Sequence, residues 1–312
     1  NTNMINKGSK DLLWTFYAYI SIIVRGEDMK QVGNTPIVKY DNLYFKLENE
    51  NPTGSIKDRA AYNILKSLLK EKAIKKGDTV VISTSGNIGI AIAYFGKELG
   101  LKVIVTMPSN MSIERINLLR KYDAEIILSD APLGMNGANE LASKISKENN
   151  YFEINQFTSI YNQEAHFETM KEIIKDLPDV DYIICGIGSA GTISGLSRYI
   201  KEHNLNIKVI GIEPDESAII TKGIKGEHAI QGIGAGFIPP LLNLEHIYKI
   251  ECVKSKDVLD EFKNKKDISL GLSSCACYLV GKNLLMKEPD KKILIIVADG
   301  IDRYGGVNWW NI

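Results

Sequence analysis

Asn51-Pro52-Thr53-Gly54-Ser55-Ile56-Lys57-Asp58-Arg59-Ala60-Ala61 decides how the chain is read. A strand pattern, Leu43-Tyr44-Phe45-Lys46-Leu47-Glu48, precedes it, and helical periodicity follows over 60–71. Pro52 and Gly54 punctuate the turn, and Thr53 or Ser55 is placed to cap the helix. Lys57 therefore falls in the first helical turn, where free N–H groups and the macrodipole disfavour an ammonium. A lysine held there leans toward the neutral amine, the form that condenses with a carbonyl. The plainer alternative is one more surface cation.

Outward from that turn, strand and helix patterns alternate. Strands are expected at Leu43–Leu47, 79–82, 102–106, 125–128, 182–185, 209–212 and Ile293–Val297, after a turn at Gly33-Asn34-Thr35-Pro36. Helices are expected at 60–71, 89–99, Ile113–Lys121, 137–148, 163–175, 195–202, 258–263 and 276–287. The strands are apolar at consecutive positions, as in Val80-Val81-Ile82, which suits sheets covered on both sides. The expectation is an α/β chain of open, mostly parallel, twisted sheets with helices on both faces, long enough for two domains. The polar stretch at 148–155 is the best boundary.

Composition narrows the function classes. Basic and acidic residues balance, 38 against 38, which argues against nucleic acid or an acidic membrane surface as partner. Cys185, Cys252, Cys275 and Cys277 are too few for a disulfide scaffold and fit buried thiols in a reducing, cytoplasmic setting. Cys275-Ala276-Cys277 lacks a partner pair at metal-ligand spacing, so no metal is expected. An apolar run at 12–24 is short of the roughly 20 residues of a membrane span, and no cleavage site follows it. It reads as a subunit contact or as sequence foreign to the domain, with Met29 a plausible start.

Two further turns carry unusual chemistry at the strand ends where such folds bind ligands. Ser83-Thr84-Ser85-Gly86-Asn87 has more hydroxyls and amides than a helix cap needs and suits a carboxylate. Gly186-Ile187-Gly188-Ser189-Ala190-Gly191-Thr192 suits an anion at a helix start. It lacks a Walker lysine but fits G-x-G-x-x-G, with Glu213 a possible ribose acceptor. That rival, a dinucleotide oxidoreductase, leaves the other two turns without work.

Together these turns resemble the cysteine synthase / cystathionine β-synthase family of pyridoxal-phosphate enzymes, with the tryptophan-synthase-β type of fold. Lys46-Leu47-Glu48 and the 51–59 turn look like its cofactor-lysine signature. Residues 107–115, Asn155-Gln156-Phe157, 231–239 and Gly271-Leu272-Ser273-Ser274 follow in the family's order, and the likeness runs from about 33 to 304. It implies a smaller mobile domain over 46–155, a larger one from 30–45 and 156–312 carrying the phosphate loop, and an extension at 1–29. It also implies roles. Lys57 would hold pyridoxal 5′-phosphate as an internal aldimine and then move the α-proton. Asn87 would bond the ring oxygen, and Gly188, Ser189, Ala190, Gly191 and Thr192 would cradle the phosphate. Ser273 would meet the pyridine nitrogen as a neutral hydroxyl, a moderate electron sink suited to β-elimination. Thr84, Ser85, Gly86 and Gln156 would bind the substrate carboxylate, and Gly232 would line the entrance.

The implied reaction is β-replacement through an α-aminoacrylate: cysteine from O-acetylserine and sulfide, or alternatively hydrogen sulfide released from cysteine. A non-catalytic member of the same fold is a further possibility. The family usually forms homodimers, with 12–24 and Trp309-Trp310 as candidate contacts here, and a serine acetyltransferase is a possible partner. Three departures bear on the first substrate: Ile88 where a hydroxyl is common, the bulkier Cys275-Ala276-Cys277-Tyr278, and Asp299-Gly300-Ile301-Asp302-Arg303-Tyr304 in place of a Ser-Gly-Glu-Arg-Tyr type.

Overall fold

Alternating patterns fold here into two sheets. The computed structural model describes residues 31–111, 113–264 and 268–304, so 12–24 and Trp309-Trp310 lie outside the described residues. Strands β1 (Ile37–Tyr40) and β2 (Leu43–Leu47) form an antiparallel hairpin. Its two-residue turn, Asp41-Asn42, holds both residues at positive φ, the twist that matches a right-handed ribbon. The hairpin edges a six-stranded sheet completed by β7 (Tyr182–Gly186), β8 (Lys208–Pro214), β9 (Lys249–Val253) and β10 (Ile293–Val297). The order is β1-β2-β10-β7-β8-β9, parallel beyond the hairpin. The second sheet uses β3 (Thr79–Ser83), β4 (Lys102–Pro108), β5 (Glu125–Ser129) and β6 (Phe152–Ile154), all parallel, in the order β5-β4-β3-β6.

Side chains two apart on a strand share a face, and the cores follow that rule. Ile293, Ile295 and Val297 of β10 pack on one side of the larger sheet against helices α8 (Ser255–Asn264) and α9 (Leu272–Lys287). Leu294 and Ile296 face the other side, toward α5 (Ile160–Asp176) and α6 (Gly191–Glu202). The smaller sheet is covered by α1 (Lys57–Lys70), α2 (Asn87–Glu98) and α3 (Ile113–Lys121) on one face. Val81 and Ile104 meet α4 (Gly134–Asn149) on the other. A four-residue helix, α7 (Ile219–Lys222), follows β8. The described residues from Val32 onward make one compact unit.

The strands not expected from the sequence, β1, β6 and β9, are three of the four sheet edges. They are short and half wet, so no continuous apolar run marks them. Most helices begin two to four residues earlier than periodicity places them, at Lys57, Asn87, Gly191 and Leu272 among others. The first turns of α2, α6 and α9 carry glycine, serine or asparagine, which are poor helix formers. No helix among the described residues is long and apolar enough to cross a membrane.

Candidate active site

The lysine turn is rooted in a buried polar network. Arg59 donates from Nε and Nη2 to Glu48 at 2.6 and 2.8 Å, and from Nη1 and Nη2 to Glu172 at 2.8 and 2.7 Å. Lys46 Nζ donates to Glu172 Oε2 at 2.7 Å, and Asn51 Nδ2 to Glu48 Oε2 at 2.7 Å. Burial works to raise the Glu172 carboxyl, but hydrogen bonds from Arg59 and Lys46 hold it down at about 2. Lys46, Glu48 and Arg59 of the signature, with Glu172, thus fix β2, α1 and α5 together and do not line the cavity.

The expected cap on α1 takes a different form. Ile56 is the N-cap residue, without a side-chain bond, while Ser55 Oγ accepts from Lys57 N–H at 3.3 Å. Thr53 turns instead to Asp58, donating from its backbone N–H at 2.5 Å and from its hydroxyl. Lys57 is the first residue of α1, and its amine is lowered to about 8. The direction agrees with a helix N-terminus, but burial is the main cause and the Asp299 carboxylate opposes it.

Lys57 lines one cavity with Asn87, Gly188, Ser189, Ala190, Gly191, Thr192, Gly232 and Ser273. Four helix N-termini meet there: Lys57 opens α1, Asn87 opens α2, Gly191 opens α6, and Ser273 is second in α9. The positive ends of these helices make an anion-accepting field there. Ala190, the N-cap of α6, sits at φ +64°, left-handed for a residue with a Cβ, a conformation that costs about 1–2 kcal/mol. Such a bend turns successive N–H groups toward one point.

Behind the cup, Asn162 Nδ2 donates to Ser189 Oγ at 3.0 Å and to the Gln156 carbonyl at 2.7 Å. A Cβ on Gly191 would collide with Asn162, and one on Gly188 would lie 2.5 Å from the Gly232 carbonyl oxygen. His166 stands 3.2 Å from Thr192 Oγ1 and 3.2 Å from Thr169 Oγ1. Burial, then the Arg59 and Lys57 charges, push it well below its usual range, so it is neutral.

Thr84, Ser85, Gly86 and Gln156 are not in the cavity wall. Thr84, Ser85 and Gly86 form the loop leading into Asn87, with Gly86 N–H donating to Thr84 Oγ1 at 3.1 Å. Space beside Gly86 and Gly232 is open: an added Cβ at either meets nothing within 4 Å. Asp299, singled out in sequence only as a departure, lines the cavity, and Cys185, Ile233 and Ile296 supply apolar wall. An acidic residue just past the end of a buried strand was the signal for Asp299. Glu213, the ribose acceptor of the dinucleotide alternative, is buried and occupied: it accepts from Ile220 and Thr221 N–H, each at 3.0 Å. All four cysteines are free thiols, and Cys185, Cys275 and Cys277 are buried, as composition implied; Cys252 is partly exposed.

A family model described as pyridoxal-phosphate dependent enzyme matches residues 29–299. Cysteine synthase B of Campylobacter jejuni is 40% identical over 282 residues, 88% of this chain and 94% of that protein. Among solved structures, O-acetyl serine sulfhydrylase isoform 3 of Entamoeba histolytica superposes with a TM-score of 0.85 at 34% identity, covering 90% of each chain. A hydrogen sulfide-producing enzyme of Fusobacterium nucleatum superposes with a TM-score of 0.82 at 36% identity, covering 88% of this chain and 97% of that one.

Proposed function

The chain belongs to the pyridoxal-phosphate-dependent enzymes, and we propose that it makes cysteine from O-acetylserine and sulfide by β-replacement. The observation that carries this reading is a buried, easily deprotonated lysine beside an anion cup built on helix N-termini. The residues present fit the cofactor. The cup offers backbone N–H groups and two hydroxyls for a phosphate, and it has no room for side chains at Gly188 and Gly191. Asn87 and Ser273 supply one amide and one neutral hydroxyl for a ring, and Lys57 supplies the amine. Pyridoxal phosphate, when bound, contributes an aldehyde and an electron-withdrawing ring that acidifies the substrate α-hydrogen.

Lys57 Nζ holds the cofactor between turnovers, and when free it takes the α-proton and returns it. Thr84, Ser85, Gly86 and Gln156 bind the substrate carboxylate, with Gly86 and Gly232 bordering the open space an amino acid enters. The smaller sheet, residues 79–154, forms most of a mobile domain that brings the 84–86 loop over the substrate. The apolar walls exclude water while the β-substituent departs. The working form is a cytoplasmic homodimer, tested by size exclusion at low concentration, where a stable monomer would count against it.

The likeness to the Fusobacterium hydrogen sulfide-producing enzyme supports a second reading, release of sulfide from cysteine. One experiment separates the two: offer O-acetylserine with sulfide, and separately cysteine alone, and follow sulfide in each. Sulfide consumption in the first arm supports cysteine synthesis. Production in the second without consumption in the first overturns it in favour of the lyase.

A further inference from the structure

Asp299 has no part in the reaction as described, yet the site is built around it. It follows β10, lines the cavity and is 6% exposed. Its backbone joins two walls: Gly271 N–H donates to Asp299 C=O at 2.9 Å, and Asp299 bridges to Ser55 in the lysine turn. Its Oδ2 accepts from Asn87 Nδ2 at 2.8 Å, and the Tyr304 hydroxyl reaches Oδ1 and Oδ2 at 3.1 and 3.2 Å. The carboxylate fits only because Gly271 has no side chain; a Cβ there would overlap Oδ1.

We propose that Asp299 is a positioning residue, the anionic partner of Lys57, which governs how readily that amine gives up and regains its proton and which orients the Asn87 amide. The inference deepens the proposed function and rests on Lys57 carrying the cofactor. Two donors satisfy part of the carboxylate, and its remaining charge is felt at Lys57, where it works against desolvation. The other charged groups near the pair are few. Arg303 favours the ionised carboxylate and Asp302 opposes it, both from the turn that follows. From the phosphate-cup side His166 is neutral, and burial pushes the Cys185 thiol up to about 12, so neither supplies charge. Burial raises Asp299 itself to about 6, against the hydrogen bonds from Asn87 and Tyr304, so it is ionised when the lysine works. Tyr304 is raised well above its usual value, first by burial and then by Asp299, and remains a donor.

Asp299→Asn keeps the shape and lets the amide oxygen accept from both Asn87 and Tyr304. The test follows the visible absorbance of the holoenzyme against pH, which reports the proton on the nitrogen joining Lys57 to the cofactor. The variant is expected to lose that proton at a pH lower by about one unit or more. Tyr304→Phe makes the carboxylate more basic and leaves the transition where it was or moves it up. An unshifted transition in Asp299→Asn overturns the proposal, as does an equal fall in Tyr304→Phe, which would mean shape rather than charge. If Asp299→Asn fails to retain cofactor, the pH dependence of Lys57 labelling by acetic anhydride, read by mass spectrometry on the cofactor-stripped full chain, replaces the spectrum. An unchanged labelling profile then overturns it. A wild-type protein that takes up no cofactor overturns the proposed function and this inference together, whereas a band without a shift overturns this inference alone.

Discussion

Lys57 Nζ lies 3.4 Å from Ser189 Oγ, although 132 residues separate them in the chain. The amine comes from the smaller sheet's helical layer and the hydroxyl from a turn of the larger sheet. Their meeting makes a reactive amine and an anion cup into one site.

On the proposed function, Lys57→Ala removes the group that would hold the cofactor and move the proton. Turnover is expected to fall by about 10²–10⁴-fold, the usual range for a lost acid–base group. The visible band of the bound cofactor disappears with it. A variant that keeps both band and turnover would place the chemistry elsewhere.

The two kinds of glycine in the site respond differently. Gly188→Ala drives a Cβ to 2.5 Å from the Gly232 carbonyl oxygen, and overpacking of that kind costs about 1–3 kcal/mol. Cofactor affinity is expected to fall about tenfold, since every 1.4 kcal/mol is a factor of ten. Gly86→Ala meets nothing within 4 Å and should leave cofactor affinity unchanged while raising KM for the amino acid. Equilibrium dialysis and initial rates check the pair; equal effects on cofactor would contradict the assignment.

Arg59→Ala strands Glu48, which is fully buried. Breaking a buried ion pair from one side costs about 3–5 kcal/mol, and urea unfolding measures it. The remaining bonds to Glu48 from Thr35 at 2.8 Å and Asn51 at 2.7 Å place the loss toward the lower end. A change within experimental scatter would mean that the network does not anchor α1.

Acid stability has two opposing parts. Glu172 is depressed from its ordinary 4.5 to about 2, so its contribution is complete above pH 4.5 and is lost as pH falls toward 2. Asp58 and Asp299 are raised from 3.8 to about 6, mainly by burial. The folded state therefore binds their protons more tightly, and both cost stability as pH rises from about 4 through 6. Glu172→Gln should flatten the acid limb below pH 4.5 in denaturant titrations. Asp299→Asn should flatten the slope between 4 and 6. If neither slope changes, these carboxyls do not govern the profile.

The central strands were legible because each carries a run of apolar residues, such as Val80-Val81-Ile82, that only a doubly covered sheet accommodates. The three turns stood out because their hydroxyls, amides and glycines exceed what a helix cap requires; Lys57, Asn87 and 188–192 meet at one cavity, while Thr84, Ser85 and Gly86 do not line it. Edge strands β1, β6 and β9 and most helix starts were not legible: half-wet backbone and polar first turns lack the apolar period that marks an element. Nor was the Thr53–Asp58 pairing, because Thr53 and Ser55 offer equivalent caps on paper and only the fold decides which donor a buried carboxylate takes.

The order of residues along the chain was enough to establish the α/β class and to mark out the lysine turn and the glycine-rich 186–192 turn, since each depends on neighbours within a few positions. Asp299 needed the tertiary structure, because hydrogen bonding and desolvation depend on distance in space. Its partners Lys57 and Asn87 come from helices more than 200 residues upstream. The fold likewise decided that burial, rather than the helix end alone, lowers the Lys57 amine. It also took Glu213 away from any ribose by turning that carboxylate onto the backbone of α7.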